Sequence, residues 1–467
     1  MKKQEETIHK YSFGYSILRV FVMFGCRFFY RKIQVSGKEN IPYESCFIIT
    51  PNHQNALMDA MAILFSISRK RIVFLARADI FKSKVQNKIL TFLKMLPVYR
   101  MRDGTQELSK NEEIFDRAVH IVTSKIPLSL MPEGTHGDKR RLRNFVKGAF
   151  RIAFRAQQEA GPLNDVLILP VGIDYEHYQK FNQDLLIVIG KPVNIREYLS
   201  EYTDNQAKGL NLLRDKISGA IKDLMIHISN DEFYDMYQNM RHIWNSRMKQ
   251  LSGIRGKNLY DAFRADKLMI RILDHAWETE PETLRALAEK TSKYMTNLEL
   301  LKMRNWVIAR KGLSGSETAL MIARIIITSP LALYGFVNNI LSYYIPIKLT
   351  KKIKDPQFVS SFKFVLSLIS FKVFYIIQTL AVGIFSGSLI IAIVYLLSLP
   401  VTGYYSLYWS FWVKKTRSGM RFKKLNSEKD KVVLETMKLY QQIMQAMEKI
   451  CFKYLHEIPL KEKNRYD

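Results

Sequence analysis

Residues 46–59 read CFIITPNHQNALMD, an apolar run that passes through a polar turn into a second apolar pattern. The run at 46–50 is rich in residues that favour strands, and the pattern at 56–66 has the length of a short buried helix. This stretch therefore predicts a strand that leads, through a few polar residues, directly into a helix.

The same alternation continues on both sides of this stretch. Short apolar runs and helical patterns follow one another from Lys32 to about residue 230. Candidate strands are residues 32–35, 46–50, 72–76, 127–131, 166–172 and 185–189, and candidate helices are 56–66, 111–124, 146–160 and 206–228. Alternating strands and helices are typical of an α/β domain, so we expect a mixed or mostly parallel central sheet flanked by helices.

The charge and the hydrophobic content of the chain together indicate a lipid partner. The 71 Lys+Arg exceed the 43 Asp+Glu and give a formal net charge of +28. Such a charge attracts anionic surfaces, which nucleic acid and anionic lipid both offer. Because 48% of the residues are hydrophobic and long apolar stretches lie near the C-terminus, we expect a lipid bilayer as the partner and no nucleic acid.

Three apolar stretches follow residue 316, at 323–347, 364–385 and 389–413. Each is near the roughly 20 residues that a bilayer crossing needs, and the alternative is a large soluble helical core. Pro330, Pro346 and the pair Asn338–Asn339 interrupt the first stretch, so we predict that it is interfacial or re-entrant. The other two would form a hairpin that turns at residues 386–388, and both two and three spans are compatible with this pattern.

Composition divides the chain into five regions. They are a membrane-surface helix at 1–31, the α/β domain at 32–230, a helical insertion of unknown role at 231–315, membrane segments at 316–413 and a basic helical tail at 414–467. In the first region Ile17, Phe21, Phe24 and Phe28 recur at helical spacing among arginines, and the alternative is a helix packed on the domain's own core. Basic flanks predict a multi-pass membrane protein with its α/β domain and tail on the cytoplasmic side.

The three cysteines, Cys26, Cys46 and Cys451, are widely spaced. An odd number without metal-ligand spacing indicates neither a disulfide framework nor a zinc site. We therefore expect a reducing compartment and no metal.

His53 and Asp59 are the first candidates for chemistry. A histidine at the end of a strand, followed by an aspartate in the first turn of a helix, can act as a general base and the carboxylate that orients it. On one regular helix six residues would turn the two side chains about 600° apart, so His53 must precede the helix, with Asn55 as a possible N-cap. The alternative is a capping asparagine beside a core histidine.

A second candidate segment, MPEGTHGD at residues 131–138, follows an apolar strand and leads into a basic run. Glycines let backbone N–H groups approach an anion closely, and clustered Arg and Lys supply charge-assisted hydrogen bonds to phosphate. The segment thus has the outline of a phosphate site, and a tight turn followed by a solvated basic face is the alternative.

Together the two segments resemble the glycerophospholipid acyltransferase family, whose members carry a histidine-to-aspartate motif and, later, a Pro-Glu-Gly-Thr motif. The resemblance extends to residues 35–42, 96–103 and 169–173, which are similar to further blocks of that family, and it covers about residues 30 to 230.

The resemblance implies that residues 32–230 form an acyltransferase domain in which His53 is the general base and Asp59 its partner. Residues expected to bind the substrate are Arg100, Arg102, Glu133, Gly134, Thr135, Arg140, Arg143 and Lys147. The implied reaction moves a fatty acyl group from acyl-CoA or acyl-carrier protein to a hydroxyl of lysophosphatidate or glycerol 3-phosphate, with no cofactor. A non-catalytic membrane-binding protein with a degenerate domain is the alternative.

Two departures from the family pattern concern the acceptor. Five residues separate His53 from Asp59 where four are usual, a spacing similar to that of dual-substrate glycerol-3-phosphate acyltransferases with extra transmembrane segments. His136 stands where the family usually has arginine, so Arg140, Arg143 or Lys147 could take over the contact with phosphate.

Overall fold

The structure, a computed structural model, describes residues 8, 11–99 and 110–455. The chain forms two compact units. The first runs to His227 and also takes in Ile353–Phe364, and the second consists of Ile228–Lys352 and the chain from Val365 onwards. The inclusion of Ile353–Phe364 in the first unit was not predicted from the sequence.

A single mixed sheet forms the centre of the first unit. Its strands are β1 (Lys32–Ser36), β2 (Cys46–Pro51), β3 (Val73–Arg77), β4 (Met95–Val98), β5 (Leu128–Ser129), β6 (Val166–Tyr175), β7 (Asp184–Ile189) and β8 (Val193–Asn194). They lie in the order β1-β7-β6-β2-β5-β3-β4, with β8 paired to β6. Only β7 and β8 run antiparallel to β6, and all other pairs are parallel. The predicted mixed, mostly parallel sheet is confirmed.

Helices flank this sheet. They are α1 (Phe13–Phe29), α2 (Ala56–Ser66), α3 (Lys84–Phe92), α4 (Lys110–Thr123), α5 (Gly148–Ala160), α6 (Leu199–Asp204) and α7 (Gln206–Leu224). Side chains from α4, α5 and α7 bury the centre of the sheet, with Val122, Ala153 and Ile217 fully enclosed. Every residue of β2 is buried, which is why its sequence is a continuous apolar run rather than an alternating one.

Helix α1 begins after Ser12, whose hydroxyl accepts a hydrogen bond from the N–H of Tyr15. One face packs on the domain, since the Arg19 guanidinium donates to the carbonyls of Ile67 and Lys70 at 2.8 and 2.9 Å. The other face leaves large apolar side chains exposed, namely Phe13, Ile17, Val20, Phe21 and Phe24. The helix therefore combines a packed face with an aromatic face that suits a bilayer surface.

The second unit is built of helices in the part of the chain that the structure describes. They are α8 (Tyr234–Ile243), α9 (Asn245–Leu251), α10 (Leu259–Thr279), α11 (Pro281–Leu300), α12 (Asn305–Ala309), α13 (Gly315–Thr350), α14 (Val359–Ser386), α15 (Leu389–Ser427) and α16 (Lys431–Tyr454). Within this unit α11 packs on α16, and α13 packs along α15.

Three of these helices, α13, α14 and α15, are long and apolar enough to cross a membrane. The prediction that prolines and asparagines break the first apolar stretch is wrong, because α13 continues through Pro330 and Pro346. The Asn339 side chain accepts from the Tyr375 hydroxyl at 2.7 Å and donates to the Leu399 carbonyl at 3.2 Å. Its polar atoms are thus satisfied by α14 and α15, which makes an amide tolerable in an apolar helix.

Candidate active site

The turn after β2 is tied to the neighbouring strand β6 by Asn52. Its buried amide donates to the Ile173 carbonyl at 3.1 Å and accepts from the Ile173 N–H at 2.7 Å. This pair of bonds ends the strand at a fixed position. His53 follows immediately, with 16% of its side chain exposed.

His53 and Asp59 are in direct contact. The distance from Nδ1 of His53 to Oδ2 of Asp59 is 2.8 Å, and the Asp59 side chain is completely buried in the first turn of α2. A carboxylate partner at Nδ1 places the proton on that nitrogen, so Nε2 of the neutral ring is the atom with a free lone pair. That is the arrangement a general base requires.

Three more donors hold the Asp59 carboxylate in one orientation. The backbone N–H groups of Gln54 and Asn55 donate to Oδ2 at 2.9 and 2.7 Å, and the Tyr175 hydroxyl donates to Oδ1 at 2.7 Å. Charge-assisted bonds of this kind offset the cost of burying the carboxylate. The Asp59 carboxylate is thereby held by donors from the histidine turn and from β6.

The start of α2 has an unusual backbone conformation. Ala56, the first residue of this helix, has φ +39°, a left-handed conformation that non-glycine residues seldom adopt. Asn55 occupies the predicted N-cap position, but its side chain makes no capping bond. Its amide instead donates to the Tyr178 carbonyl at 3.0 Å.

Glu133 joins the two sequence motifs. One carboxylate oxygen accepts from the His53 N–H at 2.6 Å and the other from the Arg143 N–H at 2.9 Å. Burial raises the pKa of Glu133 to about 7, although both backbone bonds act in the opposite direction. Glu133 therefore ties the backbone of the histidine turn to the turn that follows β5.

The glycine after Glu133 has a steric requirement. Gly134 has φ +65°, and a Cβ there would lie 3.0 Å from Cγ1 of Val146. Thr135 is half-buried in the same turn. Gly134 and Thr135 directly follow Glu133, whose carboxylate holds the His53 backbone.

His136 stacks on His53. The ring centroids are 5.3 Å apart with an angle of 19° between the planes. Burial, followed by the proximity of His53, lowers the pKa of His136 to about 4. His136 is therefore neutral at physiological pH and cannot replace the charge of an arginine at this position.

The predicted phosphate-binding residues have different environments. Arg140 is buried and pairs with the Asp174 carboxylate and the Tyr175 carbonyl. Arg143 is exposed, and its guanidinium donates to the His136 carbonyl at 2.7 Å, while Lys147 is exposed just before α5.

The remaining two predicted contacts, Arg100 and Arg102, lie outside the described residues. In the described part of the chain no three His, Cys, Asp or Glu side chains come close enough together to hold a metal ion.

Sequence reasoning missed Tyr175, which touches the buried carboxylate directly. Tyr175 follows Ile173 in β6 at the two-residue interval that keeps side chains on one face. Ile173 lies beside the histidine turn through its bonds to Asn52, a pairing set by the order of the strands, so the sequence alone gave no signal that Tyr175 faces Asp59.

A half-buried histidine at the end of a strand, paired with a buried carboxylate, lies here beside a glycine-containing turn and basic residues. Residues 32–174 match the sequence model of the Acyltransferase family, so this part of the chain is an acyltransferase domain.

Two named relatives and one solved structure are similar to this chain. The 1-acyl-sn-glycerol-3-phosphate acyltransferase LPAT1, chloroplastic, of Arabidopsis thaliana is 24% identical over 132 residues, which are 28% of this chain and 35% of the relative. The 1-acyl-sn-glycerol-3-phosphate acyltransferase of Borreliella burgdorferi is 25% identical over 202 residues, 42% of this chain and 74% of the relative. The crystal structure of the 1-acyl-sn-glycerophosphate acyltransferase PlsC from Thermotoga maritima matches with 22% identity and a TM-score of 0.32, over 44% of this chain and 79% of that one. The match thus spans about a third of the Arabidopsis relative's length.

Proposed function

We propose that this protein is an O-acyltransferase of glycerophospholipid synthesis. It would move a fatty acyl group from the thioester of acyl-CoA or acyl-carrier protein to a hydroxyl of lysophosphatidate or glycerol 3-phosphate. The observation that carries the proposal is the 2.8 Å contact between Nδ1 of His53 and the buried Asp59 carboxylate, within a domain of the Acyltransferase family.

The reaction follows from this geometry. Nε2 of His53 takes the proton of the acceptor hydroxyl while that oxygen attacks the thioester carbonyl carbon. Asp59 stabilises the imidazolium that forms, and the ring then returns the proton as the thiolate leaves. The ester bond forms, the carbon–sulfur bond breaks, and the histidine ends in its starting state.

The acceptor's phosphate would lie on the turn after Glu133. Arg143 and Lys147 are exposed there and keep their charges available to a ligand, whereas Arg140 is committed to a buried carboxylate. Two relatives are named as acting on 1-acyl-sn-glycerol 3-phosphate, which supports lysophosphatidate as an acceptor. Five residues separate His53 from Asp59, as in dual-substrate glycerol-3-phosphate acyltransferases, and for this reason we propose glycerol 3-phosphate as the second acceptor.

A membrane setting suits lipid substrates. The exposed aromatic face of α1 and the three long apolar helices would hold the domain at the bilayer that contains its acceptor and product. We propose that the protein is multi-pass and that the catalytic domain lies on the cytoplasmic side, because basic residues flank the apolar helices.

The deciding experiment supplies the purified protein, in detergent or nanodiscs, with a labelled acyl donor and a panel of acceptors. Acyl-CoA and acyl-carrier protein are compared as donors, and glycerol 3-phosphate, lysophosphatidate and other lysophospholipids as acceptors. His53→Ala is the matched control, and loss of a general base typically costs about 10² to 10⁴ in rate. Transfer to no acceptor by the folded wild-type protein would favour the non-catalytic alternative.

A further inference from the structure

Ile353–Phe364 belongs to the same compact unit as the active site, although in sequence it joins α13 to α14, two helices of membrane-spanning length. It contains the short 3₁₀ turn Pro356–Phe358 and the first residues of α14. This stretch, called the wall segment below, contacts several of the turns that carry the site.

Ser360 makes the first of these contacts. Its hydroxyl donates to the side-chain oxygen of Asn55, and both residues have 0% exposure. The backbone N–H of Asn55 in turn donates to Asp59 at 2.7 Å. Ser360 thus holds Asn55, and Asn55 in turn holds the Asp59 carboxylate.

Phe358 makes the second contact. Its ring meets His136 edge to face, with centroids 4.9 Å apart and an interplanar angle of 89°. The His136 ring also stacks on that of His53. His136 therefore fills the space between the wall segment and the proposed base.

Three further contacts anchor the wall segment around the same site. The Gln357 amide lies 3.4 Å from an Asp138 carboxylate oxygen, the Lys363 ammonium donates to the Gln179 carbonyl at 3.0 Å, and the Phe364 ring lies 5.4 Å from that of Phe29. The segment is thus held to the glycine turn, to the turn after β6 and to α1.

We propose that the wall segment completes the active site and that Ser360 and Phe358 are positioning residues for the His53–Asp59 pair. The inference rests on the proposed acyl transfer and adds a specific dependence. Full turnover depends on a serine and a phenylalanine outside residues 32–174, the part of the chain that matches the family model.

The first test compares Ser360→Ala with Ser361→Ala. Ser361 is also buried, but in the described part of the chain its hydroxyl has no hydrogen-bond partner. Losing the Asn55 bond should lower kcat about 3- to 10-fold with little change in acceptor KM, whereas Ser361→Ala should behave as wild type. If Ser360 acts through Asn55, Ser360→Ala should have no further effect in an Asn55→Ala background. Equal kcat in the two serine variants, or additive effects in that background, would overturn the role of Ser360.

The second test needs no turnover. Diethyl pyrocarbonate modification of His136, followed by peptide mass spectrometry, reports how well its ring is covered. Phe358→Ala should raise the modification rate several-fold, while Phe362→Ala, at a ring that is 50% exposed in the same segment, should not. An unchanged rate in Phe358→Ala would refute the contact with His136 on which the positioning role of Phe358 rests.

The two tests separate the inference from the function on which it rests. A wild-type protein that transfers no acyl group would refute the proposed function, and the labelling of His136 would still decide whether Phe358 covers the site.

Discussion

Replacing Asp59 with asparagine tests the proposed mechanism with little change in shape. The amide oxygen can take the place of Oδ2, which accepts from His53 and from the N–H groups of Gln54 and Asn55. The amide nitrogen then faces Tyr175, whose hydroxyl can turn to accept a hydrogen bond. The variant should therefore fold, and what it lacks is the negative charge beside the ring.

The size of the effect follows from the distance between the two groups. Unit charges 2.8 Å apart interact by about 6 kcal/mol at an effective dielectric constant of about 20, which corresponds to at most about 10⁴-fold in rate. Loss of this stabilisation falls on the transition state, where the imidazolium forms. We expect kcat to fall about 10²- to 10⁴-fold, with acceptor KM nearly unchanged.

The assay measures initial rates of acyl transfer at several acceptor concentrations, beside thermal unfolding of each variant. His136→Ala is the control, because this histidine stacks on His53 and, in the described part of the chain, its Nδ1 has no hydrogen-bond partner. Its effect on kcat should be milder. An Asp59→Asn enzyme within a few-fold of wild-type kcat would refute the orienting role, and near-normal transfer by folded His53→Ala would refute the base itself.

Three further predictions concern the phosphate, pH and topology. Arg143→Ala and Lys147→Ala should each raise acceptor KM about 10-fold or more without changing donor KM, whereas Arg140→Ala should destabilise the domain by about 3 to 5 kcal/mol because its buried partner loses its counter-charge. The raised pKa of Glu133, about 7 against an ordinary 4.5, gives stability that is present below about pH 4.5 and lost as the pH rises through about 7. Glu133→Gln should remove this contribution, up to about 3 kcal/mol, so its unfolding midpoint should change less than that of wild type between about pH 5 and pH 8. A cysteine at Ser386, the exposed last residue of α14, should be labelled from outside intact cells, and the burial of all three native cysteines keeps the label specific to it.

Each of these has a matched comparison. Arg151→Ala removes another exposed charge from α5 and should leave acceptor KM unchanged. If Arg143 and Lys147 prove equally silent, Arg100 and Arg102 become the candidates. Parallel unfolding profiles for Glu133→Gln and wild type would contradict the pH prediction. A cysteine at the exposed position Lys354 of the wall segment should react with the label only after the cells are permeabilised. Labelling of Lys354→Cys from outside intact cells would contradict a cytoplasmic catalytic domain.

Much of the sheet could be predicted because its central strands are buried on both faces. Such strands are continuous apolar runs, and all six predicted runs coincide with strands. Strands β4 and β8, with four and two residues, were missed because so few residues carry too little pattern. The contact between His53 and Asp59 could be anticipated because both lie on one local strand–turn–helix joint.

The surroundings of that pair could not be anticipated in the same way. Tyr175 reaches Asp59 across 116 residues of sequence, a separation that only the sheet order closes. The sequence does not distinguish Arg140 from the other basic residues of its run. Only the fold shows that Arg140 pairs with the carboxylate of Asp174. The predicted break in α13 was wrong for a similar reason. Contacts with neighbouring helices decide whether a helix continues through a proline, and the sequence does not show these contacts.

The hydrogen bond between Ser360 and Asn55 also has a consequence for biosynthesis. The two residues are 305 positions apart, so at about 5 to 20 residues per second the serine is synthesised roughly 15 to 60 s after the asparagine. From the synthesis of Asn194, the last residue of the sheet, until Ser360 is made, the nascent domain has its sheet and its histidine but lacks the wall segment. The order of translation thus makes the completed site a late event, which follows the synthesis of the first long apolar helix.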